Sequence, residues 1–164
     1  MKKPRNKKYR PRPIATAGGL GVIAKCIARG AEVVPLRDDQ LTDLGVAYWL
    51  SMENLRTGEA TEEAWSCVVC ALNIGMALCE GGIGAGDAAR DAMTRALDGA
   101  FRAKVRSAKS GTFRLDGEAI TDITEALHIH DQQLQLATRA EVTQAMRTVH
   151  QRIEEGNVYT VEAA

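Results

Sequence analysis

The sequence predicts an all-α fold, a helical bundle of about four or five helices behind a basic, extended N-terminal arm, with room for one short β pairing. Three observations predict it. Aromatic residues make up only 4% of the chain while Ala and Leu supply much of its 45% apolar content, which suits helix-on-helix packing better than a sheet. Apolar residues recur at three- and four-residue steps over long stretches. Clusters of Gly and Pro separate those stretches. At 164 residues the chain fits one core, divided as a basic arm over residues 1–13, a single helical domain over 14–157 and a tail over 158–164. A mean hydropathy of −0.19 is ordinary for a globular chain and argues against wholesale disorder.

The arm is defined by charge. Residues 1–13 carry seven cations (Lys2, Lys3, Arg5, Lys7, Lys8, Arg10 and Arg12) and no acid. The other 14 basic residues therefore face all 21 acids, so a formal net charge of zero divides into +7 on the arm and −7 on the remainder. Pro4, Pro11 and Pro13 remove backbone donors, and the like charges repel, so this stretch is expected to be extended. Gly18, Gly19 and Gly21 precede a short apolar helix expected near Leu20–Arg29, which Gly30 ends. The apolar stretch after the arm superficially resembles a secretory signal, but the three prolines and the interrupting Lys25 argue against one.

Beyond the connection Val33-Val34-Pro35, a helix is expected from about Arg37 to Leu55, with Leu41, Leu44, Tyr48, Met52 and Leu55 on one stripe. Thr57-Gly58 stops it. Thr61 followed by Glu62 and Glu63 predicts the next N-terminus, a side-chain cap with acids at the positive end of the helix dipole. From Ala64 to Cys79 there is no charged residue, so this helix is expected at the centre of the bundle; it is short for a membrane span. Gly81, Gly82, Gly84 and Gly86 break the chain, and Asp87 is expected to cap a third long helix. Its apolar face runs through Ala89, Met93, Ala96, Leu97, Ala100, Phe101, Val105 and Ala108, and Arg102, Lys104, Arg106 and Lys109 gather at its C-terminal end. Thr112–Leu115 is expected to be extended and to pair with Val158–Val161. The last helix is expected from about Gly117 to Glu155, with a bend midway, where Ile120, Ile123, Leu127, His130 and Leu134 slip in register against Val142, Ala145, Val149 and Ile153.

Few constellations suggest chemistry. Cys67-Val-Val-Cys70, with His128 and His130 elsewhere, has the elements of a metal or redox site. Its cysteines lie inside an uncharged helix, without a flanking cation to lower their pKa, so core packing is the stronger reading. His130 falls on the apolar stripe between Leu127 and Leu134 and reads as a core histidine, whereas His128 falls on the flank and His150 at the surface. Gly19-Leu-Gly21 mimics a dinucleotide fingerprint but lacks the strand that should lead into it. Asp38, Asp39 and Asp43 read as acids at a helix start. No Ser/His/Asp, Cys/His or paired-carboxylate grouping stands out. The chain is therefore expected not to be an enzyme and to need neither metal nor cofactor. The arm is the strongest binding candidate, its seven cations and Tyr9 suiting salt-sensitive contact with nucleic acid, or else docking on the acidic body.

With the helices placed, most of the chain resembles small helical proteins encoded by phages and prophages of β-proteobacteria such as the Burkholderia and Bordetella group. The resemblance is carried by Tyr9-Arg10-Pro11-Arg12-Pro13, Trp65…Asn73…Leu78, Gly82-Ile83-Gly84, the run from Gly111 to Glu118 and the run from Leu127 to Leu134. It implies a genomic setting more than an activity, and no catalytic residue follows from it. It further implies a bacterial cytoplasm, which agrees with four cysteines read as reduced thiols. The expected role is that of a non-enzymatic accessory protein that binds a host or phage protein, in host takeover or counter-defence. The rival is a nucleic-acid-binding regulator using the arm, as a homodimer. No membrane partner is expected.

Overall fold

Each Gly- or Thr-marked connection after Val33 becomes a helix boundary. The computed structural model describes residues 33–84 and 86–156, which form five helices and no strand among the described residues. In chain order they are α1 (Asp38–Thr57), α2 (Glu62–Glu80), α3 (Gly86–Ser110), α4 (Gly117–Leu136) and α5 (Arg139–Glu154). The arm, the helix expected near Leu20–Arg29 and the stretch Val158–Val161 lie outside the described residues.

The caps follow the local chemistry. Thr61 accepts the Ala64 N–H at 3.3 Å and opens α2, with Glu62 and Glu63 in the first turn. Asp116 accepts the Ala119 N–H at 2.8 Å and opens α4. At the start of α1 Gln40 accepts the Arg37 N–H at 3.1 Å, and at the end the Gly58 N–H returns to the Asn54 carbonyl. The third long helix begins at Gly86, so Asp87 sits in the first turn of α3 and not at the cap.

A further expectation needs correcting. The last helix does not bend; it breaks. Ala137 is extended (φ −74°, ψ 143°), and Thr138 and Glu141 form a reciprocal capping box that starts α5. The break exposes new backbone end groups, and the capping box satisfies two of the amide donors among them. Phe113, in the piece expected to be extended, forms an isolated antiparallel bridge with Ala60, while its expected partner Val158–Val161 lies outside the described residues.

α2 occupies the centre and touches α1, α3, α4 and α5. Val68 and Leu72 are wholly buried, as are Met93 of α3 and Ile123 and Leu127 of α4. Burying each such side chain stabilises the fold by roughly 1.5–3 kcal/mol. By length and mean hydropathy (1.3) α2 could cross a membrane, yet 61% of that window is enclosed by the other helices. Neighbours run antiparallel. Glu62 of α2 pairs with Lys104 of α3, and Gly75 lies against Met93. Gly99 of α3 meets Ala119 of α4 so closely that a Cβ there would stand 2.8 Å from the Ala119 Cβ.

Candidate interaction surface

The buried candidates come first. Cys67, Cys70 and Cys79 are free and buried. Burial, with Cys67 adjacent, pushes the Cys70 thiol up to about 12, so it holds its proton and behaves as a small apolar group. Among the described residues no group of three His, Cys, Asp or Glu side chains is arranged to hold a metal. His130 is buried on the α4 stripe, its ring 5.5 Å from that of Tyr48. Burial lowers its pKa to about 4, against a smaller opposing pull from Gln133 and the Asp131 charge, and its Nδ1 lacks a partner in hydrogen-bond geometry. Leu44 of α1, Ala71 and Ile74 of α2 and Val142 of α5 enclose it.

Gln133, also wholly buried, fastens the turn after α2 to α4. Its Nε2 reaches the carbonyls of Gly75 (3.1 Å) and Ile83 (3.0 Å) and the Cys79 sulfur (3.0 Å). Gly84 passes over this amide at φ +82°, where a Cβ would stand 2.6 Å from the Gln133 Cγ. Only glycine meets both the left-handed backbone and the close approach. The glycine run thus forms a packed interhelical turn rather than a cradle open to phosphate.

At the end of α3, Arg102, Lys104 and Arg106 are engaged within the molecule, whereas Lys109 is exposed. Lys104 pairs with Glu62 at 2.5 Å and lies 5.1 Å over the rings of Trp65 and Phe113. Arg102 meets Asp116 and Glu118, and Arg106 meets Asp116 at 3.0 Å. The Ala119 N–H, together with Arg102 and Arg106, holds the Asp116 carboxyl below its usual range. These side chains tie α3 to α2 and α4. The seven arm cations, Lys2, Lys3, Arg5, Lys7, Lys8, Arg10 and Arg12, lie outside the described residues.

The seam between α1 and α4 is different. Asp131 of α4 accepts hydrogen bonds from the Tyr48 hydroxyl through Oδ1 and from the Trp49 Nε1–H through Oδ2 at 3.1 Å. Burial and the adjacent carboxylate push the Tyr48 hydroxyl pKa upward, so it remains a donor. The Trp49 ring lies 4.9 Å from that of exposed His128. Beside this fixed, half-buried indole, Val46 and Leu50 stand 52% and 62% exposed, one turn apart on α1. Asp43, another turn earlier, is exposed.

The helical stripe of α1 pointed to its buried face, and Leu44, Tyr48, Met52 and Leu55 are buried there. The outer face was overlooked. Its signal is two aliphatic residues off the stripe, Val46 and Leu50, on either side of a tryptophan. Asp131 carries no sequence signal of its own, because its two donors lie 82 and 83 residues away.

Elsewhere a groove of about 380 Å³ runs between the end of α2 and α5, floored by Ala77, Leu78, Ile83 and Ala145 and edged by Glu80 and Glu141. Both carboxylates are engaged, Glu80 by Arg152 at 2.6 Å and Glu141 by the Thr138 cap. Comparison of the chain with protein-family models, with curated proteins and with solved structures finds no match.

Proposed function

We propose that this chain is a non-enzymatic binding protein of the accessory kind carried by phages and prophages, acting on a host or phage protein in the bacterial cytoplasm. The observation that supports it is the outer face of α1, where exposed Val46 and Leu50 adjoin a tryptophan held in one orientation. Aromatic anchors beside aliphatic side chains are the usual centre of a protein–protein contact. The buried thiols and histidine are accounted for by packing. A role in host takeover or counter-defence fits a small binding module, and self-association is compatible with it.

The charge asymmetry of the sequence supports a second reading, a nucleic-acid-binding regulator that uses the +7 arm. Arg102, Lys104 and Arg106 of α3 add little to it, being held in ion pairs.

One experiment separates the two. Full-length protein and protein lacking residues 1–13 are used to capture partners from bacterial lysate, with and without nuclease. A protein partner retained without the arm, after nuclease and at moderate salt, supports the first reading, since apolar contacts are weakly screened. Capture lost on deleting the arm, on nuclease treatment and steeply with salt supports the second.

A further inference from the structure

α1 has two apolar lines, and the bundle uses only one. Leu44, Tyr48, Met52 and Leu55 point inward. Val46 and Leu50 point outward, with the half-buried Trp49 between that face and the α4 seam. Single exposed aliphatic residues are unremarkable. Two of them beside an indole already fixed by Asp131 and lying 4.9 Å from the tilted His128 ring are a different case, since that anchor loses little rotamer freedom on binding.

Charge narrows the class of partner. The N-terminal end of this face is acidic. Asp38, Asp39 and Asp43 precede Val46; Arg37 is already paired with Asp39 at 2.8 Å, and the buried Arg139 reaches Gln40. At the other end Glu53 is paired with Arg56. Face to face, a second copy would set one acidic α1 start against another. A basic segment would not meet that repulsion.

Resting on the protein-binding reading above, we infer that Asp43, Val46, Trp49 and Leu50 form a docking surface for an amphipathic helix of a partner protein, its apolar side chains covering Val46, Trp49 and Leu50 and its Lys or Arg meeting Asp43. This is recognition by a helix face, with apolar anchors spaced by one turn and a charge setting the register.

The test uses the full chain and two synthetic helical peptides of about 18 residues, long enough to be helical. Both carry Leu on one face; one has Lys on the flanks and the other has Glu at the same positions. Binding is followed by fluorescence anisotropy in moderate salt. The Lys peptide should bind saturably and lose at least about tenfold in affinity to the variant carrying Val46→Gln and Leu50→Gln. Asp43→Asn should weaken it by about two- to fivefold, and the Glu peptide should bind at least about tenfold more weakly. Both glutamines sit at solvent-exposed helical sites, and circular dichroism checks that the variant is folded.

Equal affinity for the two peptides, or for wild type and the double variant, overturns the inference. So does a dimer in ultracentrifugation that the double variant dissociates, because a second copy is then the occupant. If the peptides fail but wild type and the double variant both retain the same protein from lysate, this surface is wrong and the binding reading stands. If neither peptides nor lysate proteins bind, both fall.

Discussion

At the scale of single residues, two side chains carry consequences that can be measured. His130 is neutral in the folded protein, its pKa lowered by burial from the ordinary 6.5 to about 4. The unfolded chain therefore binds more protons than the folded one between those values, and stability falls as pH drops through that window. Urea unfolding at pH 7 and pH 5 should differ by about 2 kcal/mol from this group alone, and His130→Leu should reduce the difference. Asp131 is the second. Replacing it with Ala strands the Tyr48 hydroxyl and the Trp49 indole N–H, both of which it accepts from. A loss of about 2–4 kcal/mol in urea unfolding is expected, with a change in tryptophan emission as the indole is released. Asp131→Asn should retain part of both, since an amide oxygen still accepts.

At the scale of elements, spacing governs how closely helices approach. α3 and α4 meet at Gly99 and Ala119 with no room for a further methyl group. Gly99→Val should push them apart and lower the unfolding midpoint by an amount equivalent to about 2–4 kcal/mol. The elements were largely legible in the sequence because their signals are local. The Thr61 cap, the Thr57-Gly58 stop and the uncharged run of α2 each lie within a few residues of the boundary or burial they specify. The break between α4 and α5 is equally local, but a slip in apolar register reads as a bend as readily as a break. Thr138 and Glu141 spell a capping box, and that signal outweighs periodicity because it closes one helix and opens another. The Ala60–Phe113 bridge was not legible, since it depends on how two loops meet after the helices pack.

At the scale of the whole molecule, the centrality of α2 was readable from its lack of charge, and its contacts with all four other helices agree. The outer face of α1 was less so. A helix stripe read from the sequence marks what is buried and gives no account of apolar residues off that stripe. Only the assembled seam, with Asp131 reaching across from α4, makes Trp49 a fixed feature instead of another aromatic residue. The same assembly gives Arg102, Lys104 and Arg106, which in sequence complement the dipole at a helix C-terminus, a further role as ties to α2 and α4.

The three buried thiols of α2 have a use as timers. Cys67 lies beside Tyr48 of α1, Cys70 lies under Met146, Val149 and Ile153 of α5, and Cys79 is held by Gln133 of α4. Each sulfur can meet a labelling reagent only when its covering helix lifts. α5 packs chiefly on α2, whereas α4 is braced by both α2 and α3. With Cys26 replaced by Ser, Cys70 should react well before Cys79, by about tenfold or more at low denaturant. Equal rates would mean that the bundle opens as a single unit. The residues that look most like a redox pair on paper would then serve instead as a clock for the order in which this protein comes apart.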